Sequence, residues 1–316
     1  MGVSKPAAAD ASDTRAVRRS GDGPDTAAGG HAARGFPARM LIYLVERFSL
    51  LTVVPASLLQ YLFIARQAGG RLEVQDWARW LVGFCTYLGV FLVLRFSDEV
   101  KDKAHDDMYY HARPVQRGLI SLKELSASLW ALVILLTLLN AFFSSPAGFV
   151  LYLVTMAYLA LMRFEFFIPH LLRPRLLLYL ISHQLFVPLL AAYVIYHEGG
   201  RIGGLADVLV LVLVLLMIMA VEVARKIRPT YLDSTGRDTY SAYLGRPGAV
   251  CFLLGVLALA QVLFSVAAGV PPPVGLLLLV PGSACLYYVW KDSKRSAGAV
   301  LGATVLLLAV DMLVSL

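Results

Sequence analysis

Apolar residues in this chain come in long blocks, separated by short stretches in which charge is concentrated. "LWALVILLTLLNAFF" (129–143) and "ADVLVLVLVLLMIMAV" (206–221) are two such blocks. They show neither the alternation of a half-buried strand nor the one-sided stripe of a surface helix. Apolar on all sides, and close to the roughly 20 residues needed to cross a hydrocarbon core, they predict transmembrane helices. Nine blocks of this kind lie near 39–65, 77–96, 120–143, 147–168, 175–196, 205–224, 247–269, 272–290 and 297–316. Backbone groups in lipid must bond within their own segment, which leaves the helix as the form available to each block. Pro55, Pro188 and Pro281 fall in or near spans and predict local kinks.

Composition decides the class. Hydrophobic residues make up 59% and charged residues 16% of the 316, and mean hydropathy is +0.71. That overrides the two soluble domains that length alone would suggest. The expected fold is an all-α integral membrane bundle over residues 39–316. Residues 1–38, rich in Ala, Gly, Asp and Arg with no apolar stripe, read as a disordered cytosolic tail. Cys85, Cys251 and Cys285 all sit in apolar blocks with no metal or disulfide spacing.

Lys and Arg set the orientation. With the N-terminus inside, basic residues fill the tail and the loops 95–123, 163–175, 225–246 and 291–295, whereas the outer loops hold Arg66, Arg71, Arg79 and Arg201. This predicts a multi-pass protein of the cell (inner) membrane with its N-terminus in the cytosol. The net charge of +7 is accounted for by topology and contact with the lipid bilayer, and no nucleic acid is implied.

Two of the inner loops carry the chemistry. In "RFSDEVKDKAHDDMYYHARPVQRG" (95–118), Asp98, Asp102 and Asp106 recur every four residues and share one helical face, with Glu99 beside the stripe. Like charges so placed repel, and hard oxygen ligands of this kind suit Mg²⁺ shared with substrate phosphate. Arg113 and Arg117 follow as anion ligands. The plain alternative is a solvated charge run neutralised by Lys101 and Lys103. The second loop, "VEVARKIRPTYLDSTGRDTYSAYLGRPG" (221–248), opens with Glu222, Arg225, Lys226 and Arg228 at the end of an apolar helix. A carboxylate there persists most easily facing a polar cavity, although a Glu222–Lys226 helix-end ion pair explains it equally well. Asp233 and Asp238 fall on the connecting loop, and Tyr240 points back toward the site.

This arrangement resembles the UbiA-type intramembrane prenyltransferases, which have nine membrane helices and Asp-rich motifs after the second and sixth. The first family motif, NDxxDxxxD followed by Arg-Pro and Gly, matches "DEVKDKAHD" (98–106) and "RPVQRG" (113–118), with Asp98 in the Asn position and Glu99 in the first Asp position. The resemblance covers about 39–316. It implies a central cavity opening near the cytosolic side, with Mg²⁺ held by Asp98, Asp102, Asp106 and Glu222. The family's second motif, DxxxD, is replaced by "EVARK" (222–226), which implies that Arg225, Lys226 or Arg228 binds diphosphate directly in place of a second metal. "MAYLALMR" (156–163) resembles the family's tyrosine and basic residue on the fourth helix and makes Arg163 a phosphate candidate; setting topology is an equal role for it. His183, mid-span with Gln184, positions an acceptor or takes up a proton, or equally bonds a neighbouring helix with no chemical role.

The expected function is a Mg²⁺-dependent membrane prenyltransferase that ionises a prenyl diphosphate and passes the prenyl group to an aromatic or other lipophilic acceptor. A terpene cyclase of the same fold is the runner-up, because the altered second motif leaves capture of the cation open. A non-catalytic transporter or lipid-binding protein is the rival from another class. Against it, the charges cluster in inner loops and no internal repeat is visible.

Overall fold

The structure, a computed structural model, describes residues 34–67, 76–229, 231, 239–268 and 278–315. Among these the chain is helical throughout, and eight helices are long and apolar enough to cross a membrane. It is a multi-pass membrane protein. The expectations for the tail residues 1–33, for Arg71 and for Asp233 and Asp238 lie outside the described residues.

The helices are α1 (Phe36–Phe48), α2 (Leu50–Gln67), α3 (Trp77–Lys101), α4 (Lys103–Tyr109), α5 (Leu122–Phe143), α6 (Pro146–Arg163), α7 (Pro169–Leu172), α8 (Leu176–Gln184), α9 (Phe186–His197), α10 (Leu205–Arg225), α11 (Tyr240–Ala268), α12 (Leu279–Trp290) and α13 (Lys294–Ser315). The long helices pack in a closed circuit: α2 on α3, α3 on α5, α5 on α6, α6 on α9, α9 on α10, α10 on α11, α11 on α12, α12 on α13, and α13 back on α2.

Two predicted spans, 39–65 and 175–196, are each divided into two helices. The predicted span 39–65 is broken at Ser49, whose φ of 49° is left-handed. Of the two, α2 alone is long and apolar enough to cross; α1 is a separate 13-residue helix whose charged residues pair with other elements. Arg39 bonds the Glu124 carboxylate at 3.1 Å, Arg47 bonds Glu99 at 2.7 Å, and Glu46 accepts both arms of Arg117 at 2.6 and 2.8 Å. Tyr43 packs on Phe96, with ring centroids 5.8 Å apart, and fixes α1 to α3. Of the predicted span 272–290, residues 278–290 are described, and α12 covers Leu279–Trp290 of them. The fifth predicted span is two helices, α8 and α9, meeting at Leu185, with Pro188 in the first turn of α9 where its missing N–H is tolerated.

Local signals set the helix starts. Ser121 and Glu124 form a reciprocal capping box on α5: the Ser121 Oγ accepts from the Glu124 amide at 3.2 Å, and Glu124 accepts from the Ser121 amide at 2.9 Å. Ser121→Ala is expected to destabilise the fold by about 1 kcal/mol, read as a lowered unfolding midpoint in detergent. Gly245, at φ 71°, turns the chain between the first residues of α11 and its main body.

Polar side chains collect at the bundle end remote from the charged loops. His197 Nε2 lies 2.9 Å from the Arg79 carbonyl and its Nδ1 lies 2.7 Å from Ser144 Oγ, while Tyr61 donates to Glu198. Asn140 donates to Thr86 at 2.8 Å. Buried polar groups paired in this way tie α2, α3, α5 and α9 together.

Candidate active site

The charged ends of α3 and α10 come together at one end of the bundle. Asp98 lies in electrostatic reach of Lys101, Asp102, Arg95 and Glu222, and Arg225 in reach of Arg95 and Asp98. The two loops singled out in the sequence therefore build one site.

Apart from Asp107, which pairs with Lys103, the carboxylates of the first loop divide into two pairs. Glu99 has a fully buried side chain and is held between Arg47, at 2.7 Å, and Arg95. Asp106 is also buried and is paired with Arg113, whose guanidinium lies 3.7 Å from the Tyr110 ring centroid. Both carboxylates are committed to arginines. Asp98 has one distant ion partner, Lys101 at 3.9 Å, and Asp102 has no ion pair or side-chain hydrogen bond among the described residues. Burial pushes the Asp102 carboxyl above the ordinary carboxylate range; Lys101 opposes this and the Asp106 charge adds to it. A neighbouring cation would relieve that cost.

The backbone explains the division. The Asp102 amide bonds the Asp98 carbonyl at 2.8 Å and the Asp106 amide bonds the Asp102 carbonyl at 2.9 Å, so the helical path continues from α3 into α4. Asp98 and Asp102 stand one turn apart on it. Asp106 is drawn off by Arg113 from the loop that follows.

The expected four-carboxylate metal set is thus not assembled. Among the described residues no three His, Cys, Asp or Glu side chains form a metal-holding group. Glu222 is taken by Arg225 at 2.6 Å and Lys226 at 3.0 Å, which realises the helix-end ion pair that the sequence allowed. Mg²⁺ commonly uses one or two carboxylates together with substrate phosphate oxygens. The uncommitted Asp98 and Asp102 fit that demand, and the paired Glu99, Asp106 and Glu222 do not.

The cationic candidates also separate. Arg113 faces Asp106 and Arg117 is bound to Glu46, so both hold the loop and α1 in place. Arg225 and Lys226 lie at the shared site. Arg228 is anchored through its backbone, its amide donating to Ser241 Oγ at 3.1 Å and its carbonyl accepting from Tyr288 at 2.6 Å. Tyr240 is buried within electrostatic reach of Glu222 and Arg225, and its amide bonds the Lys226 carbonyl at 3.1 Å. Arg163 ends α6 and makes no ion pair or hydrogen bond among the described residues.

Two participants, Tyr179 and Glu165, escaped the sequence reading, and Lys101 entered it only as a neutralising charge. Lys101 Nζ lies 3.2 Å from the phenol oxygen of Tyr179, and Tyr179 stacks on His183 with centroids 3.8 Å apart. The four-residue spacing of Tyr179 and His183 was the available signal. Glu165 is buried, and its carboxyl is held below the ordinary range because Arg173, bonded at 2.8 and 2.9 Å, outweighs the effect of burial. It sits in a turn where Glu165, Phe166 and Phe167 are all left-handed, with φ of 49°, 54° and 60°. That turn lays Phe166 against His183 and Tyr158.

No family model matches the sequence, and neither does any curated protein. Solved structures do match. A UbiA homolog from Aeropyrum pernix K1 superposes at a TM-score of 0.60 with 17% identity, covering 83% of this chain and 97% of that one. A structure of digeranylgeranylglyceryl phosphate synthase in membranes gives a TM-score of 0.55 with 15% identity over 88% of this chain and 97% of that one. This chain has their fold.

Proposed function

We propose that this chain is a UbiA-type membrane prenyltransferase that ionises a prenyl diphosphate with Mg²⁺. The observation that carries the reading is the pair Asp98 and Asp102: two carboxylates one turn apart and, among the described residues, free of strong partners, beside the cations Lys101, Arg225 and Lys226. The shared fold supports it, since the resemblance in the two motif loops falls at the same bundle end. In this reading Asp98 and Asp102 hold Mg²⁺, which draws charge from the departing diphosphate. Lys101, Arg225 and Lys226, joined by Arg163 and Arg228, stabilise that charge as it develops. The isoprenoid tail occupies an apolar cavity between the helices, with α12 counted as the remaining span. The loops face the cytosol and the membrane is the cell membrane.

The committed carboxylates act at a distance. Glu99 and Asp106, with Arg47, Arg95 and Arg113, fix the end of α3 so that Asp98 and Asp102 keep their spacing.

Transfer to a lipophilic acceptor is the leading reaction, and cyclisation of the same cation is the second. The replacement of a DxxxD pair by Glu222 and Lys226 favours keeping the second open, because it changes how the diphosphate is held after it leaves. Purified protein in detergent, given geranyl, farnesyl or geranylgeranyl diphosphate and Mg²⁺ without acceptor, separates them. A cyclic hydrocarbon or alcohol with diphosphate release identifies a cyclase. Release that rises on adding a lipid extract, with a prenylated product, identifies a transferase. No release with any chain length would contradict both.

A further inference from the structure

His183 lies on α8, one turn beyond Tyr179 and its contact with Lys101. Its ring is fixed on two sides, stacked at 3.8 Å on Tyr179 and met edge-on by Phe166 at 5.9 Å. The strained left-handed turn at Glu165–Phe167 is what delivers Phe166 to that position, and strain of this kind persists where the surroundings over-determine it.

The tautomer follows from the partners. His183 Nδ1 is 3.0 Å from the Tyr179 carbonyl oxygen, which can only accept. Ser182 Oγ, at 3.2 Å from Nδ1, directs its own proton to that carbonyl, 3.1 Å away. Nδ1 therefore carries the hydrogen and Nε2 the lone pair. Nε2 is buried with no hydrogen-bond partner among the described residues. Among the described residues the charged groups that act on it are Lys101, Glu165 and Lys226, and none is hydrogen-bonded to the ring. A buried acceptor with its ring locked and no donor from the fold suits a donor that arrives with the substrate.

We propose that His183 Nε2 is the proton acceptor of the reaction; this rests on the prenyl-diphosphate reading above. The C1–O bond of the prenyl diphosphate breaks and its electron pair leaves with the diphosphate. A lone pair or π-pair of the acceptor forms the new bond at C1, and the proton the acceptor loses passes to Nε2. Water recovers that proton from the imidazolium once product has left. Where no acceptor is used, the same nitrogen takes a proton from the carbon next to the cation, and the C–H pair becomes a double bond. The sequence left proton uptake as one of three roles for His183; the fixed tautomer and the Nε2 without a partner among the described residues select it.

The test compares full-length wild type with His183→Asn and His183→Phe in detergent, with Mg²⁺ and the three prenyl diphosphates, with and without a total membrane lipid extract as acceptor source. Diphosphate release and organic products are measured separately, and thermal unfolding of each variant confirms the fold. The expected result is a fall of about 10²-fold in olefin or prenylated product per diphosphate released, with prenyl alcohol from water capture in its place. The product ratio of the wild type should also fall on acidification, and that dependence should vanish in His183→Asn. An unchanged ratio in either folded variant, or a wild type that yields only prenyl alcohol, overturns the proposal. A wild type that releases no diphosphate overturns the underlying prenyl-diphosphate reading, a result distinct from the first two.

Discussion

Alanine at Asp98 or at Asp102 is expected to lower Mg²⁺-dependent diphosphate release by about 10²–10³-fold while leaving the unfolding midpoint close to that of the wild type. The two halves of this expectation have the same origin. Neither carboxylate anchors the fold: Asp98 reaches Lys101 only at 3.9 Å, and Asp102 has no bonded partner among the described residues. Burial raises the Asp102 carboxyl, so the fold gains nothing from its charge. Groups held in that condition are free to serve a cation, and removing them takes away function rather than stability. Steady-state release with thermal unfolding on the same preparations checks both halves. Activity near wild type in either variant would remove the metal assignment.

Glu99→Ala is expected to do the reverse and destabilise the protein by about 3–5 kcal/mol, the cost of leaving buried charge unpaired. Its side chain is fully buried between Arg47 on α1 and Arg95 on α3, whose side chains are 16% and 22% exposed. Without it the two guanidinium groups face each other and α1 loses its tie to α3. The expected readout is a large drop in unfolding midpoint, with α1 becoming accessible to protease. Glu99→Gln should recover only part of the loss, since it keeps the hydrogen bonds and removes the charge. A Glu99→Ala protein as stable as wild type would show that the triad contributes nothing to the fold and that Glu99 is available for metal.

Periodicity made most of the bundle legible. Long all-round apolar blocks have one solution in lipid, and α3, α5, α6, α10 and α13 lie where the blocks do. The break at Ser49 had a signal in Glu46, Arg47 and Ser49 inside the predicted span, but its cause did not show there: it arises from tertiary pairing of Arg39, Glu46 and Arg47 with groups 52 to 85 residues away. Likewise, spacing placed Asp98, Asp102 and Asp106 on one face but could not say which carboxylates the arginines would claim. Arg47 for Glu99 and Arg113 for Asp106 are choices of three-dimensional packing. Glu99, which the sequence resemblance set in a metal-binding position, is enclosed between Arg47 and Arg95. Lys101 was seen as a neutralising charge, and its reach to Tyr179 on another helix was invisible without the fold.

The measurement that meets the central claim most directly is calorimetric titration of a non-ionisable prenyl thiodiphosphate into purified protein, with Mg²⁺ and with EDTA. Wild type should bind with Mg²⁺ and bind far more weakly without it, and the Asp98→Asn, Asp102→Asn double variant should bind equally weakly in both conditions. Binding by the double variant that still responds to Mg²⁺ as the wild type does would contradict the claim that these two carboxylates and the cations beside them form one metal–diphosphate site.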